Sequence, residues 1–140
     1  MPPASTCLFC RIVDGEVNAA TVFESDDVLG FLDHAPVFPG HVLLVPKVHH
    51  ATLTDLPSAL LTPLFEASQR VARAVAAVVE ADGTWVSMNN VVSQSVPHLH
   101  VHVVPRRRKD GLRGFYWPRT KYASVDEMAE MAVRIKTALG

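Results

Sequence analysis

The stretch Pro97-His98-Leu99-His100-Val101-His102-Val103-Val104-Pro105 places three of the chain's seven histidines in strict alternation with apolar residues. Alternation over so short a run reads as a β-strand, whose side chains point to opposite faces with a period of two. His98, His100 and His102 therefore share one face, and Leu99, Val101 and Val103 share the other. The second face suits a core and the first suits chemistry. A strand rises ~3.3 Å per residue, which sets His98 and His102 roughly 13 Å apart. That is too far for all three rings to serve one metal easily, so the row is expected to divide its labour among different partners.

Outward from that strand the chain reads as α+β. Thr21–Glu24 and Val28–Leu32 are two short strands around Ser25-Asp26-Asp27. His41–Pro46 is a compact apolar strand, Trp85–Asn89 a fourth, and His98–Pro105 the fifth. Between them, from Ser58 to about Ala81, apolar residues recur at three- and four-residue steps through Leu61, Leu64, Phe65, Val71, Val75 and Val78. Pro63 marks a start or a kink in that helix. Asp82-Gly83 is expected to end it, with glycine as a left-handed cap. Ser124-Val125-Asp126-Glu127 fits a capping box before a last helix to about Leu139. Strands grouped around one long helix predict a five-stranded, mainly antiparallel sheet with a C-terminal helix. The 140 residues are expected to form a single domain, with a motif-bearing core over 7–108 and a tail and helix over 109–140. In the tail, Phe115-Tyr116-Trp117-Pro118 is an apolar cluster.

Composition excludes several function classes. The formal net charge is −1, so no global field draws the chain to nucleic acid or membrane. The local exception is Arg106-Arg107-Arg108-Lys109, either a solvated loop or a phosphate-facing one. No run approaches the ~20 apolar residues of a membrane helix, and the first six residues have no signal-peptide character. Cytoplasmic location is the expectation. Cys7 and Cys10 are too close and too few for a disulfide framework. Their spacing suits one edge of a tetrahedral zinc site whose other ligands would be histidines. Two unrelated buried thiols is the alternative. A redox pair normally follows a strand, and none precedes Cys7.

Neutral imidazole, with an ordinary pKa near 6.5, is a nucleophile that can attack phosphorus. Its second ring nitrogen must donate to a fixed acceptor, and a donor must stabilise the phosphoryl oxygens. Histidines two apart on a strand, roughly 6.6 Å at the backbone, can converge on one phosphate. Asn89, Gln94 and Ser95 are polar residues on the approach to the strand.

The chain resembles the histidine triad proteins, which are nucleotide hydrolases and transferases. His98–Val104 matches their His-x-His-x-His signature followed by two apolar residues. Residues 7–16 (CLFCRIVDGE) look like the N-terminus of the bacterial Hint-like branch, and 39–47 (PGHVLLVPK) like another core strand. Gln94-Ser95-Val96 looks like the segment before the triad. The resemblance implies that His100 is the nucleophile on the α-phosphate of a nucleotide, forming a nucleotidyl-histidine intermediate. It implies that His102 contacts the phosphate with Gln94 and Ser95, that Ser95 assists the leaving group, and that His41 supports the site. It gives Asp33 to the ribose, Phe9, Ile12 and Phe31 to a purine base, and Asn89 to a polar contact. A structural zinc would be held by Cys7, Cys10, His49 and His98, with His50 a neighbour open to misassignment. Two-fold homodimers joining two sheets into ten strands are implied as well, and the long helix and the Phe115–Trp117 cluster would suit that interface.

Two features depart from the family. Ser93 replaces the glycine that usually precedes the Gln-Ser pair, and the loop before the triad is about two residues short, a change that loops tolerate. The N-terminus resembles the phosphoramidate-cleaving branch, whereas the Arg106–Lys109 run resembles the dinucleoside polyphosphate-cleaving one. A zinc-stabilised nucleotide-binding module with little catalysis is the alternative reading. A metal hydrolase using the histidine row as ligands is another. A nucleic-acid-binding module would rest on one short basic run alone.

Overall fold

The computed structural model describes residues 6–112 and 119–140. Phe115-Tyr116-Trp117-Pro118 lies outside the described residues. The chain divides into two compact units, Met1–Arg108 and Lys109–Gly140.

The first unit carries five strands: β1 (Thr21–Glu24), β2 (Val28–Leu32), β3 (Val42–Pro46), β4 (Gly83–Ser87) and β5 (Val101–Arg106). They form one sheet in the order β1-β2-β3-β5-β4, every neighbouring pair antiparallel. The expected α+β architecture with a five-stranded antiparallel sheet is the one observed. Its helices are α1 (Leu8–Val13) and α2 (Leu61–Val78). A helix at α1 is not foreseen above. It is six residues long, too short for periodicity to register, and Cys7 caps it by accepting the Cys10 backbone N–H on its sulfur at 3.4 Å.

The sheet is covered on both faces. Val28, Val42, Leu44, Val101 and Val103 pack with Leu64, Ala67 and Val71 of α2. Leu29, Phe31, Leu43 and Val45 pack on the opposite side with Cys7, Phe9 and Cys10. β3 is therefore buried along its whole length, which explains its unbroken apolar run Val42-Leu43-Leu44-Val45. The alternation in β5 sends Val101 and Val103 to the α2 side. His100 and His102 fall on the α1 side, where Phe9 meets the His100 ring at 5.0 Å.

Several boundaries move. β5 starts at Val101 rather than His98, because the preceding backbone has other partners: Leu99 N–H donates to His50 O at 2.7 Å and His98 N–H to Val96 O at 2.8 Å. β4 runs two residues earlier than expected, since it pairs Gly83 with Arg106 through to Ser87 with His102. Gly83 thus begins a strand and does not cap α2. The left-handed residue is Glu80, at φ 54°, with Ala81 N–H returning to Ala76 O at 2.9 Å. That is a Schellman closure with glutamate in the position glycine normally takes. The apolar stripe of α2 is also narrower than the periodicity implies. Leu64, Ala67, Ser68 and Val71 are buried, whereas Phe65 and Val78 are exposed. Ser68 is accommodated by donating its hydroxyl to Leu64 O at 2.8 Å.

In the second unit, α3 (Val125–Leu139) follows Ser124, whose hydroxyl accepts the Glu127 N–H at 3.0 Å. The Glu127 carboxylate reaches back to the Ala123 N–H rather than to Ser124, one residue beyond a regular capping box.

Gly30 lies inside β2 with no room for a side chain. A Cβ there would stand 2.7 Å from Leu44 Cδ2 and 3.1 Å from Phe23 Cβ. Leu44 is fully buried and has nowhere to retreat. Gly30→Ala should destabilise the fold by about 1–3 kcal/mol, the usual cost of overpacking a core. Glu80→Gly should stabilise it by up to about 1 kcal/mol by relieving the left-handed residue. Urea unfolding measures both, and a neutral Gly30→Ala would contradict the packing described.

Candidate functional site

The three histidines of the row have three different sets of partners. His98 is fully buried. Its Nε2–H donates to Pro46 O at 2.8 Å, which leaves the Nδ1 lone pair facing two sulfurs, Cys7 Sγ at 3.3 Å and Cys10 Sγ at 3.6 Å. His49 Nδ1 is 3.3 Å from Cys10 Sγ. The four donor atoms of Cys7, Cys10, His49 and His98 all lie within 4.8 Å of one another and could hold a metal ion.

The chemistry of this donor set fits zinc, which favours two thiolates and two imidazoles at tetrahedral corners. His49 Nε2 is buried without a hydrogen-bond partner among the described residues. No acceptor behind the ring orients it, so its orientation is set from the cluster side. Burial pushes the Cys10 thiol up to about 11, with Cys7 adding to the effect. A thiol raised in this way ionises against a nearby positive charge, and a divalent cation supplies one. His50 contributes its backbone carbonyl to Leu99 and is not a member of the cluster.

His100 donates Nδ1–H to the carbonyl of His98 at 2.8 Å. That bond fixes the tautomer and leaves the lone pair on Nε2. His102 is set by a longer chain. Val37 N–H donates to His41 Nδ1 at 3.1 Å, so the proton of neutral His41 sits on Nε2. His41 Nε2–H then donates to His102 Nδ1 at 3.0 Å. The proton of neutral His102 is consequently on Nε2. One backbone amide thus determines that His102 is a donor at its free edge, while His100 is an acceptor at its own. The two rings are 4.9 Å apart, centroid to centroid.

All three side chains are held neutral near pH 7. Burial lowers His100 and His41, in each case against the opposing attraction of the Asp33 carboxylate. Burial, and then the neighbouring His100 and His41, push His102 down to about 4. Asp33 Oδ2 lies 3.7 Å from His41 Nδ1, and Oδ1 accepts the Ala35 N–H at 2.9 Å.

His100 and His102 line a cavity of about 630 Å³, within the usual range for a small-molecule site. Leu8, Phe9 and Ile12 of α1 form one wall, with Phe31 and Leu43 of the sheet. Val17, Asn18, Ala19 and Ala20 form another, and Asp33, His34, Ser95 and Val96 complete the lining. The structure thus brings Phe9, Ile12, Phe31, Asp33, Ser95, His100 and His102 to one cavity. It places His41 immediately behind it. Asn89 and Gln94 are not among the residues lining it. The Gln94 carboxamide is occupied by backbone groups, donating to Ala51 O in the segment after β3 at 2.6 Å and accepting the Val91 N–H of its own loop at 2.9 Å. Ser93 has φ 61°, so this chain places a serine in the left-handed conformation that glycine adopts without cost.

Among the polar groups of the site, the Val37 amide, Asn18 and His34 carry no signal in the sequence. Val37 acts through its backbone, which carries no side-chain signal. Asn18 and His34 are isolated polar residues in loops, where no pattern marks them.

The basic run has a structural partner. Arg107 donates its guanidinium to Val79 O at the C-terminal end of α2, and Arg108 N–H donates to Asp82 Oδ2 at 2.8 Å. Among the described residues no helix is long and apolar enough to cross a membrane.

Comparison with known proteins agrees with this geometry. A HIT domain profile matches residues 14–109. The chain is 35% identical over 111 residues to the adenosine 5'-monophosphoramidase HNT1 of Saccharomyces cerevisiae, covering 77% of this chain and 68% of that protein. It superposes with a TM-score of 0.86 on a HIT family member from Bacillus subtilis, at 31% identity, covering 96% of this chain and 98% of the other. A zinc-bound histidine triad family protein from Mycobacterium smegmatis matches with a TM-score of 0.74 at 33% identity, over 97% and 99% of the two chains.

Because His102 is pushed down to about 4 in the folded chain and sits near 6.5 when unfolded, the unfolded state binds more protons between those values. Stability should be fully present above pH 6.5 and be lost as pH falls toward 4. His102→Gln should make that loss shallower. Thermal melts at pH 7, 6 and 5 test it, and identical slopes in the two proteins would overturn the assignment.

Proposed function

Because the chain belongs to the HIT domain family, we propose that it is a nucleotide hydrolase or transferase acting at the α-phosphate of a purine nucleoside phosphoramidate through a nucleotidyl-histidine intermediate. The observation that carries this reading is the opposed tautomers of His100 and His102 in the lining of one cavity. His100 Nε2 offers a lone pair to phosphorus as the bond to the leaving amine breaks. His102 Nε2–H donates to a non-bridging oxygen as charge builds there. The departing nitrogen takes up a proton from the hydroxyl of Ser95, a residue of the same cavity lining. Water then attacks the phosphorus, gives the proton it loses back to the Ser95 oxygen, breaks the bond to Nε2 and returns the lone pair to the ring. Asp33 accepts from the ribose hydroxyls, and Phe9, Ile12 and Phe31 enclose the base. Gln94 supports the loop that carries Ser95 instead of reaching phosphate, and Asn89 retains no direct part in this scheme.

The phosphoramidate class is favoured over dinucleoside polyphosphates by the position of the basic run. Arg106 ends β5, six residues beyond His100 and about 20 Å away at strand rise, and Arg107 is engaged on α2. A phosphate chain held at His100 would not be read by those side chains.

In the same proposal, Cys7, Cys10, His49 and His98 hold a structural zinc. The support is the geometry of the cluster and the zinc-bound relative from Mycobacterium smegmatis. Four protein ligands leave no open position for water, so the ion holds the approach to β5 and takes no part in the reaction. The sheet leaves β1 and β4 as edges, and a two-fold dimer of ten strands would pair one edge with its copy. Sedimentation equilibrium at twice the chain mass is the expected result.

His100→Ala should reduce kcat against adenosine phosphoramidate by at least 1,000-fold, on the order seen when a nucleophile is removed, with AMP binding retained. Turnover within tenfold of the parent protein would exclude the covalent route. Tight AMP binding with no turnover of any substrate by the parent would favour the binding-module reading instead. Metal analysis should find a single zinc per chain, and Cys10→Ser should lose both the zinc and several degrees of Tm.

A further inference from the structure

We propose that Asn18 reads the edge of the base and makes the site selective for adenine over guanine. The inference rests on the nucleotide reading above and goes beyond it by naming the specificity-determining side chain.

The cavity lining has polar and apolar parts. Asp33, Ser95, His100 and His102 supply its polar groups. Leu8, Phe9, Ile12, Val17 and Ala19, from α1 and the segment after it, form an apolar wall. Such a slot binds any flat aromatic base, and apolar contact alone discriminates poorly between bases of similar shape. Asn18 is the polar side chain on that wall.

Its backbone is held on both sides. Val17 N–H donates to Arg11 O at 3.3 Å, at the end of α1. Ala20 O accepts Leu32 N–H at 3.0 Å, and Thr21 N–H closes a three-residue turn onto Ala19 O at 3.0 Å. The segment is therefore fixed between helix and sheet, and Asn18 is positioned in advance of binding. Its carboxamide makes no hydrogen bond to the described residues, and it stands exposed at the cavity rim. Asn90 and Gln94, by contrast, spend their carboxamides on backbone groups.

A carboxamide offers an acceptor and a donor side by side. Adenine presents the complementary pair at N6–H and N7, and asparagine meets it bidentately. Guanine presents two acceptors, O6 and N7, on the same edge. One of them would face the carboxamide oxygen unpaired. Partial exposure to water keeps the expected discrimination at about five- to tenfold, the low end for one bidentate base contact.

The test compares kcat/KM for adenosine and guanosine 5'-phosphoramidates of one amine in the parent protein, Asn18→Ala and Asn18→Asp. Equilibrium binding of AMP and GMP is measured on the same proteins. The parent should favour adenosine five- to tenfold, and Asn18→Ala should bring the ratio within about twofold of unity. Asn18→Asp keeps the acceptor for N6–H and loses the donor to N7, so it should fall between them. A 7-deaza-adenosine substrate should lose rate in the parent and not in Asn18→Ala. An unchanged ratio in Asn18→Ala, or a parent that favours guanosine, overturns the proposal. Selective AMP binding that depends on Asn18, without cleavage of either substrate, upholds the proposal and overturns the catalytic reading. Failure to bind either nucleotide overturns both.

Discussion

The rest of the site depends on the anchoring of His98. Its Nε2–H is given to Pro46 O at the end of β3, and its Nδ1 is given to the two cysteines at the start of α1. A single buried ring therefore ties the approach to β5 to a neighbouring strand and to a helix on the sheet's α1 face. Its own carbonyl is the acceptor that fixes the tautomer of His100. The position of the backbone at residue 98 thus reaches the reactive nitrogen through one hydrogen bond. Displacing His98 would cost both the fold around Cys7 and Cys10 and the availability of the His100 lone pair.

Neutrality is the second constraint. Three imidazoles in contact cannot all be protonated without mutual repulsion, and burial opposes charge on each of them. Asp33 works in the other direction on His41, His100 and His102, yet burial prevails in all three. The result is a site whose donors and acceptors are defined by tautomer and not by charge. A cavity end of neutral groups in low dielectric strengthens each hydrogen bond made there, and it leaves a nucleophilic nitrogen free of a proton at neutral pH. The chain Val37 N–H, His41, His102 assigns those roles without any ionised partner.

The loop before the triad shows how strain is offset. Val91 and Ser93 both have positive φ, 70° and 61°, and Val91 is β-branched and exposed. Such conformations persist where surrounding contacts over-determine them. Here Asn90 Oδ1 takes the Leu53 N–H at 2.8 Å, and Gln94 spans from Val91 N–H to Ala51 O. These bonds hold a loop whose next residue, Ser95, lines the cavity. The polar side chains nearest the histidine row in sequence are thus divided: one faces the cavity, and its neighbour holds the loop.

Much of this was legible in the chain because it is carried by local alternation or spacing. β1 and β2 fall on the residues the sequence implies, and the alternation of His98–Val103 separates a buried apolar face from a histidine face. The spacing of Cys7 and Cys10 implies a pair of thiols on one side of a metal, and these come within 4.8 Å of His49 and His98. The tertiary structure decided what no local pattern encodes. It placed the start of β5, the left-handed turn at Glu80 after α2, the bonding of Gln94 to Ala51 and that of Arg107 to Val79 at the end of α2. It also supplied the Val37 amide that sets His102 and the cavity wall on which Asn18 stands. Periodicity reports which face of an element is buried, because burial repeats with the backbone. Hydrogen bonds between residues distant in sequence do not repeat, so they are determined only when the elements pack.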